Sequence, residues 1–577
     1  MKVIKRDGRA VDYDREKIKI AINKANNEVN SDERVSDKQI ENIIRYIESL
    51  KKKRILVEDI QDIIEQKLMD LKKFTLAKEY IIYRYNRALV RKSNLTDESI
   101  LSLVKNSSKN EQYQKRTKNN TNQAHLIASE VSKDLTKRVL LPFTISQAFQ
   151  EGELLFHDSD YFIQPMFDSS LIDLKTVLED GVTINNIYYS KPSNFIDACF
   201  ISALVLQEIS SNQYGKALIY LEDLSEYSKD ADEQEIQKGV ELFFKILGSL
   251  KNGNGVYPAF DFYLAPFVYL SFDQVKIVDK YFLLEYLKYL QKEVKIDFTF
   301  IVALKEECER ELLDILLACS KSKGNIIYLG SNKEKELLKF VFPPVGNCYL
   351  SFKSKDKEEL KGHFIIGRVS INLIDLYIDN PELENFYQAL EDRLNLAKEA
   401  LLVRYYALLG TLSDTYPLLY QSGAIAKLDS GSKIDTLLRK NNAYLVLGYS
   451  GLNVFGYELG FKVLKFIKAK VDSWQQELGI LFRVKEEPSS VNYFKDKLEE
   501  KYGELKIIND YGKSLNSRII SYQEQDFKDI VLLKSKDLEI SPDGLVFKIS
   551  DPPYEDRKEI LRLIKFLSEN LLLFSLE

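Results

Sequence analysis

The chain has 577 residues, which is enough for roughly two to four domains around a large apolar core. Its 82 Lys and Arg residues against 87 Asp and Glu give a net charge of −5, and no long block of one sign predicts a nucleic-acid or membrane surface. Hydrophobic residues make up 45%, charged residues interrupt every apolar run, and the first ten residues lack a signal-peptide pattern. We therefore expect a cytoplasmic protein that binds neither nucleic acid nor membranes directly.

Residues that bind metals or form disulfides are few and scattered. Only three histidines are present, and the four cysteines, which form no Cys-x-x-Cys pair, are Cys199, Cys308, Cys319 and Cys348. This pattern predicts neither a disulfide framework nor a structural zinc site, and we expect no bound metal.

The first ninety residues combine short strand signals with apolar helical stripes. Asp7-Gly8, between Lys2–Lys5 and Ala10–Tyr13, predicts a β-hairpin, because an Asp-Gly turn tolerates the positive φ that a tight hairpin requires. Apolar residues at helical spacing then predict four helices, and Ser36 with Gln39 has the spacing of a capping box at the start of the second. The stripes are Ile18, Ala21, Ile22, Ala25 and Val29; Ile40, Ile43, Ile44, Ile47 and Leu50; Ile60, Ile63, Ile64, Leu68 and Leu71; and Leu76, Tyr80, Tyr83 and Arg87.

Four motifs follow one another in this region. They are Val3-Ile4-Lys5-Arg6-Asp7-Gly8, Tyr13-Asp14-Arg15-Glu16-Lys17-Ile18, Val57-Glu58-Asp59-Ile60-Gln61-Asp62 and Tyr80-Ile81-Ile82-Tyr83-Arg84-Tyr85-Asn86-Arg87. Together they resemble the ATP-cone, the regulatory nucleotide-binding module of ribonucleotide reductases. The resemblance implies a mostly helical ATP-cone with a β-hairpin over 1–92, with ATP or dATP as its allosteric ligand.

The charged residues of these motifs are suited to a triphosphate. Lys5, Arg6 and Lys17 lie where they could converge on phosphate oxygens, with arginine as a planar donor and a helix N-terminus adding positive character. Spacing alone leaves open that they are ordinary solvated charges. The nucleotide-binding residues implied by the resemblance are Val3, Lys5, Arg6, Asp14, Lys17, Val57 and Arg87. Tyr80 and Tyr83 could flank a base, but their apolar stripe favours a place in the core.

A polar stretch separates this module from the rest of the chain. Residues 105–122 are Asn, Ser, Lys, Gln and Thr with almost no apolar side chain, so we predict a flexible linker over 93–128. From 129 to 577, strand-like apolar runs alternate with amphipathic helices, which predicts an α/β domain.

Seven short motifs in this second region are collinear with those of one enzyme family. They are Glu130-Val131-Ser132-Lys133-Asp134-Leu135, Phe156-His157-Asp158-Ser159-Asp160-Tyr161, Ser210-Ser211-Asn212-Gln213-Tyr214-Gly215, Val369-Ser370-Ile371-Asn372-Leu373, Leu394-Asn395-Leu396-Ala397-Lys398-Glu399-Ala400, Tyr420-Gln421-Ser422-Gly423-Ala424-Ile425-Ala426 and Leu447-Gly448-Tyr449-Ser450-Gly451-Leu452. The region resembles the catalytic domain of the anaerobic, class III ribonucleoside-triphosphate reductases. That resemblance implies a ten-stranded α/β barrel of the glycyl radical enzyme type.

The residues that carry the family's chemistry are replaced in this sequence. In the family, a glycyl radical oxidises a cysteine on a loop inside the barrel, and the thiyl radical takes a hydrogen atom from the ribose. Alignment on the motifs places Asn347 at that cysteine and Ser169 at the family's second cysteine. Neither an amide nor a serine hydroxyl can exchange hydrogen with a sugar carbon, so both sulfur functions are expected to be lost.

Cys348 is an alternative source of sulfur, because a one-residue shift of its loop would move the thiol towards the position of Asn347. A buried, small apolar residue is the structural alternative. The sequence up to Glu577 contains neither the Cys-rich zinc site nor the radical loop of the family, and the nearest late glycine, Gly544, is predicted to lie in a Pro-Asp-Gly turn. His157 and Asp158 are adjacent and are predicted to make structural hydrogen bonds rather than a catalytic pair.

Three hypotheses follow from these observations. The leading one is a catalytically silent, ATP- or dATP-binding relative of the anaerobic reductase, acting as a regulatory or partner subunit in deoxyribonucleotide synthesis, as a homodimer or with a full-length reductase. The second is an active ribonucleoside-triphosphate reductase subunit that uses Cys348 and receives its glycyl radical from another chain. A decayed gene product is the third, and the intact helical patterning counts against it.

Overall fold

The computed structural model describes most of the chain in two compact units, 1–110 and 111–577. The described residues are 2–4, 10–27, 29–31, 33–50, 54–81, 120–249, 267–271, 277–292, 298–303, 310–329, 338–342, 348–354, 358–439, 442–487, 490–503, 505, 508, 519–540, 544–571 and 573–576.

The first unit is a small sheet packed with helices. Strands β1 (Lys2–Ile4), β2 (Ala10–Asp12) and β3 (Arg54–Leu56) form a three-stranded sheet in the order β2-β1-β3. The helices are α1 (Arg15–Asn27), α2 (Asp37–Ser49) and α3 (Val57–Asp70), and a further helix runs over 74–81. Because β1 and β2 pair antiparallel, the predicted hairpin is confirmed, although the turn residues between these strands lie outside the described residues.

The capping box at the start of α2 is also confirmed. The backbone N–H of Ser36 donates to Gln39 Oε1 at 2.9 Å, and the backbone N–H of Gln39 donates to Ser36 Oγ at 3.4 Å. These bonds satisfy donors that the first turn of a helix otherwise leaves open. The apolar stripe of α2 is buried in the unit's core, as is Tyr80, which confirms its predicted place there.

The second unit contains the remaining elements. Its strands are β4 (Leu154–Phe156), β5 (Ser170–Leu171), β6 (Val182–Ile184), β7 (Ile187–Tyr189), β8 (Ala217–Tyr220), β9 (Phe267–Ser271), β10 (Thr299–Ala303), β11 (Asn325–Leu329), β12 (Leu338–Phe342), β13 (Cys348–Ser354), β14 (Phe364–Asn372), β15 (Ala443–Ser450), β16 (Leu481–Glu486), β17 (Ile519–Ser521), β18 (Gly544–Leu545), β19 (Phe547–Ser550) and β20 (Leu573–Leu576).

Its helices are α4 (Asn120–Leu135), α5 (Phe143–Glu151), α6 (Leu174–Asp180), α7 (Phe195–Asn212), α8 (Glu233–Ser249), α9 (Ile277–Gln291), α10 (Arg310–Lys321), α11 (Leu373–Asp379), α12 (Leu383–Leu408), α13 (Pro417–Tyr420), α14 (Asp435–Arg439), α15 (Gly456–Leu478), α16 (Val491–Tyr502), α17 (Phe527–Ile540) and α18 (Arg557–Asn570). A π-helical turn over Thr136–Leu140 follows α4.

One large mixed sheet organises this unit. Its strand order is β16-β15-β14-β5-β8-β9-β10-β11-β20-β19-β17, and β4 pairs with β14 beside this path. Strands β14 to β16 are parallel, as are β8 to β11, with helical crossovers between them. The predicted α/β architecture is confirmed, and the described residues place twelve strands in this sheet instead of the predicted ten.

The sheet curls around its own inner face. A buried apolar cluster on that face takes residues from β5, β8, β10, β11, β14, β15 and β20, with Leu360 and Val546, and no described α-helix contributes to it. Because this cluster joins residues of strands that are far apart in the sheet order, the sheet curls around it. We call this side the inner face and the helix-covered side the outer face.

Two local predictions require correction. Residues 120–128, predicted as the end of the linker, belong to helix α4, where Leu126 is buried. Gly544, predicted in a turn, belongs to strand β18 and pairs with Tyr349 of β13. In both segments tertiary packing outweighs a local polar or Pro-Gly signal.

Candidate functional site

The most heavily charged part of the described interior is centred on Arg368. Arg368 lies in the middle of strand β14, where every residue is buried, and although its side chain is charged it is only 2% exposed. Three carboxylates surround the guanidinium: Nε donates to Asp168 at 2.6 Å, Nη2 to Asp158 at 3.0 Å and Nη1 to Glu487 at 3.1 Å. We call these four residues, together with Lys485, the interior cluster.

Strand alternation places the cluster on the inner face. Val369 and Ile371 pack in the outer-face core, so Arg368 and Ser370, which alternate with them, point inward. On β16, Val484 packs outward, and Lys485 is therefore directed inward as well. A register shift in β14 between Ile365 and Gly367 sets this alternation and separates the inner apolar cluster from the charged end of the strand.

The other members come from the ends of neighbouring elements. Asp158 lies in the turn after β4 with a φ of 51°, a left-handed conformation that is uncommon for a residue other than glycine. Asp168 precedes β5, and Glu487 follows β16. Lys485 Nζ lies 2.8 Å from Glu487 Oε2, and both side chains are fully buried.

Polar neighbours extend this network. Ser169 Oγ donates to Asp168 Oδ1 at 2.6 Å and accepts from the backbone N–H of Lys216 at 3.0 Å. His157 Nε2 lies 2.7 Å from Ser370 Oγ. Ser169 is thus held by Asp168 and the Lys216 backbone, and His157 by Ser370.

The same surroundings shift the pKa values of the cluster in opposite directions. Burial raises the pKa of Asp158 from 3.8 to about 7, because it outweighs the stabilising effect of Arg368. Burial would also raise the pKa of Glu487, but Lys485 and Arg368 together hold it well below its ordinary value. Burial, with Arg368, lowers the pKa of His157 well below 6.5, so its imidazole is neutral.

Glycine backbones pack directly against the cluster. A Cβ added at Gly215 would overlap the Asp168 carboxylate and the Ser169 hydroxyl. A Cβ added at Gly448 would overlap Ser370 Oγ and lie 2.8 Å from Glu487 Cβ. The backbone therefore occupies the space beside these side chains on two sides.

Of the two residues that the resemblance predicts at family cysteine positions, the structure describes only one. Ser169 lies in the interior cluster's hydrogen-bond network, whereas Asn347 lies outside the described residues. Cys348 is the first residue of β13, and its backbone pairs in register with Leu545, next to Gly544. Strands β12, β13 and β18 form a separate three-stranded sheet.

The predicted nucleotide-binding residues are only partly described. Val3 is buried in β1, whose end at Ile4 pairs with Leu56, directly before Val57 at the start of α3. Asp14 and Lys17 follow the other end of the strand pair and form an exposed ion pair of 3.5 Å. Lys5, Arg6 and Arg87 lie outside the described residues.

A neighbouring tyrosine was not predicted as a site residue. The hydroxyl of Tyr13 is buried and has no hydrogen-bond partner among the described residues. Burial, followed by the charge of Glu48, raises its pKa to about 12. The motif around Asp14 contains this tyrosine, so its position was available from the sequence although its burial was not.

Several single-residue predictions are confirmed. His157 and Asp158 face different partners, Ser370 and Arg368, and do not form a pair. Cys199 and Cys319 are buried free thiols. One expectation is wrong: His363, for which the sequence offers no partner, lies 3.0 Å from the Tyr444 hydroxyl through Nδ1.

Sequence reasoning missed the interior cluster as a site. The available signal was a charged residue inside an apolar run, namely Arg368 within Phe364–Asn372, whereas Lys485 lies in a strand with alternating charged residues, Leu481–Glu486, and gave no such signal. Within the described ranges, no three His, Cys, Asp or Glu side chains are grouped so as to hold a metal ion. None of the helices seen in those ranges is both long and apolar enough to cross a membrane.

Comparisons with known proteins agree with this architecture. The family described as anaerobic ribonucleoside-triphosphate reductase matches residues 111–516, and the ATP cone domain matches residues 1–89. The anaerobic ribonucleoside-triphosphate reductase of Haemophilus influenzae is 26% identical over 599 residues, covering 91% of this chain and 84% of that protein. The Escherichia coli enzyme of the same name is 24% identical over 551 residues, covering 84% and 76%.

A solved structure shares the fold. The anaerobic ribonucleotide reductase from Thermotoga maritima, in complex with dATP and CTP, superposes with a TM-score of 0.56 at 13% sequence identity, covering 79% of this chain and 82% of that one. The family match extends over most of the chain and coincides with the curled sheet and its interior cluster. The chain belongs to the anaerobic ribonucleoside-triphosphate reductase family and carries an ATP cone.

Proposed function

We propose that this chain is a catalytically silent member of its family that binds ATP or dATP through its cone and acts as a regulatory or partner subunit in deoxyribonucleotide synthesis. The observation that carries the proposal is Ser169. By resemblance it occupies a cysteine position of the family, and its hydroxyl is held by Asp168 and the Lys216 backbone.

A serine at this position cannot perform the sulfur chemistry. Its O–H bond is too strong to give a hydrogen atom to a sugar radical, and a hydroxyl forms no disulfide with a partner thiol. The short bond to Asp168 Oδ1, at 2.6 Å, fixes the hydroxyl as a structural donor. Asn347, at the other cysteine position, supports the same conclusion from the sequence.

The cone supplies the nucleotide-dependent part of the proposal. The register of β1 with β3 places Ile4, the last residue of β1, opposite Leu56, directly before the start of α3. Leu56, at the N-cap of that helix, makes no side-chain hydrogen bond, and the positive end of a helix dipole in general favours phosphate oxygens. We propose Val3, Lys5, Arg6, Asp14, Lys17, Val57 and Arg87 as the binding set.

Binding of ATP and dATP tests the first half of the proposal. We expect the wild-type chain to bind both in equilibrium dialysis, and a Lys5→Ala, Arg6→Ala double variant to bind at least tenfold more weakly, since charged hydrogen bonds to phosphate are lost. A Lys38→Ala, Arg45→Ala variant removes the same charges from the exposed side of α2 and should bind normally. Equal loss in both variants, or none in either, would remove the cone from the proposal.

Catalysis tests the second half. The purified chain, incubated anaerobically with an activase, a reductant, ATP and a ribonucleoside triphosphate, is expected to form no deoxynucleotide above the level of a heat-inactivated sample. A Ser169→Cys variant should remain inactive, because one restored thiol does not restore the second. Turnover by the wild-type chain alone would exclude the silent-subunit proposal.

The partner is tested separately. We propose that the chain acts either as a homodimer or in a complex with a full-length anaerobic reductase. Sedimentation with and without dATP, followed by pull-down from anaerobically grown cells, should give one of these assemblies. A monomer that captures no reductase would contradict the partner function.

A second candidate function is favoured by one observation, the register that places Cys348 opposite Leu545 and beside Gly544. In that candidate the chain is an active reductase subunit whose thiol is Cys348 and whose radical is supplied by another chain. Electron paramagnetic resonance after activase treatment, with Cys348→Ser as the control, distinguishes the two. A glycyl radical with Cys348-dependent turnover favours the second candidate.

A further inference from the structure

We infer that the interior cluster closes the inner face of the sheet to ribonucleotides, with Arg368 as the residue that determines this exclusion. The inference rests on the proposed function and deepens it, because it states that the interior cluster fills the space where a reductase would bind its substrate. It concerns the second unit alone and is independent of nucleotide binding by the cone.

Charge is the first argument. The cluster combines two cations, Arg368 and Lys485, with the three carboxylates Asp158, Asp168 and Glu487. When all five are ionised the sum is two positive and three negative charges. A nucleoside triphosphate is an anion, but both cations of the cluster already lie within 3.1 Å of a carboxylate and offer it no uncompensated positive charge.

The second argument is that the hydrogen-bond donors of Arg368 already have acceptors. Each of the three guanidinium nitrogens of Arg368 donates to a different carboxylate, at 2.6, 3.0 and 3.1 Å. A ligand phosphate could bind Arg368 only by displacing one of these carboxylates, which would then be buried without a partner. Leaving one member of a buried ion pair unpaired is strongly unfavourable.

The third argument is space. The Gly215 backbone abuts Asp168 and Ser169, and the Gly448 backbone abuts Ser370 and Glu487, so closely that even a methyl group would overlap. Arg368, Lys485 and Glu487 are each 2% exposed or less in their side chains. The charged groups are therefore packed as a core is packed and do not line an open site.

Equilibrium dialysis with labelled CTP tests the inference on the full-length chain. With ATP present to saturate the cone, we expect no saturable CTP binding by the wild-type chain up to millimolar concentration. The Thermotoga maritima reductase, whose structure holds CTP, is the positive control, and dATP binding by the same sample shows that the chain is intact. Saturable CTP binding that persists in the Lys5→Ala, Arg6→Ala variant would overturn the inference.

A pair of variants provides a second, independent measurement. Arg368→Met leaves three carboxylates with one lysine, whereas Arg368→Met with Asp158→Asn and Asp168→Asn leaves Glu487 paired with Lys485 at 2.8 Å. If the cluster is a packed core, the single variant loses thermal stability and the triple variant regains a large part of it. An unchanged melting temperature in the single variant would indicate a hydrated, open site and would contradict closure.

The outcomes separate this inference from the proposed function. CTP binding without deoxynucleotide formation overturns closure and leaves the silent subunit in place. CTP binding with conversion to dCTP overturns both. If the single variant does not fold, CTP dialysis with the wild-type chain still tests whether the inner face is closed to ribonucleotides.

Discussion

The two units place their charges in opposite environments. In the first, Lys17 and Asp14 form an ion pair of 3.5 Å whose side chains are 74% and 44% exposed. In the second, Arg368 binds three carboxylates with 2% of its side chain exposed. The first pair can exchange its partner for a ligand at little cost, since exposed ion pairs contribute less than about 1 kcal/mol.

The buried cluster cannot make that exchange. Its charges have lost their hydration, so each depends on its protein partners, and removing one partner costs several kcal/mol. The comparison separates charges available to a nucleotide from charges committed to the fold.

The strongest test of this contrast is Arg368→Met. We expect it to lower the free energy of unfolding of the second unit by about 3–5 kcal/mol, because three carboxylates lose their common cation. Arg557→Met is the matched control: Arg557 lies 2.9 Å from Asp314 and both side chains are about half exposed, so a change within about 1 kcal/mol is expected. Urea unfolding of both variants measures the difference, and similar values would abolish the contrast.

The pH dependence of stability probes Asp158 within the cluster. Because burial raises its pKa from 3.8 to about 7, the folded state binds this proton more tightly than the unfolded state. Stability should therefore fall as pH rises from about 4 to about 7, by at most about 4 kcal/mol. Below that window stability should also fall, since the pKa of Glu487 is held low and its protonation breaks the pairs with Lys485 and Arg368.

Asp158→Asn removes the titrating group and should flatten the decline between pH 5 and 7, an interval set by the raised pKa of about 7. Asp314→Asn, in the exposed pair with Arg557, should leave the decline unchanged. Urea titrations at several pH values measure both. A wild-type profile that rises across this interval would show that Asp158 ionises normally.

A smaller effect is expected at the packing between strands. Gly448→Ala would place a methyl group against Ser370 Oγ and 2.8 Å from Glu487 Cβ, and both lie on a rigid backbone. We expect a loss of about 1–3 kcal/mol from overpacking. Thermal unfolding by calorimetry is the measurement, and a neutral result would mean that the interior has room to relax.

The smallest effect should come from the first unit, where Ser36 caps α2. Ser36→Ala removes the two hydrogen bonds that Ser36 Oγ makes with Gln39 at the helix start and is expected to cost about 1 kcal/mol. Ser49→Ala, at the other end of the same helix, is the control, because its exposed hydroxyl only bonds Tyr46 O. Hydrogen exchange of the α2 amides should accelerate in the first variant alone, and equal rates would contradict the capping function.

Local patterns in the sequence predicted much of the first unit. The Asp-Gly signal and the apolar stripes gave the hairpin and helices, and Ser36 with Gln39 gave the capping box. These features depend on residues within a few positions of each other, so spacing is sufficient to predict them. The end of the linker was harder to predict, because the polar composition that begins after residue 104 extends into residues that form helix α4.

Resemblance predicted the α/β sheet of the second unit, but not which residues meet inside it. Arg368 is 200 residues from Asp168, 210 from Asp158 and 119 from Glu487. Such a contact depends on strand order and on the register shift in β14, neither of which is encoded in any one segment.

The sequence by itself determined the family and the nucleotide module, and it predicts that Ser169 replaces a family cysteine. The tertiary structure alone decided that this serine joins a buried ionic cluster and that Cys348 pairs with Leu545, in the strand that contains Gly544. The physical reason is the separation of the interacting residues along the sequence. Helix caps and apolar stripes involve near neighbours, whereas buried charges pair only when strands distant in sequence curl around a common interior.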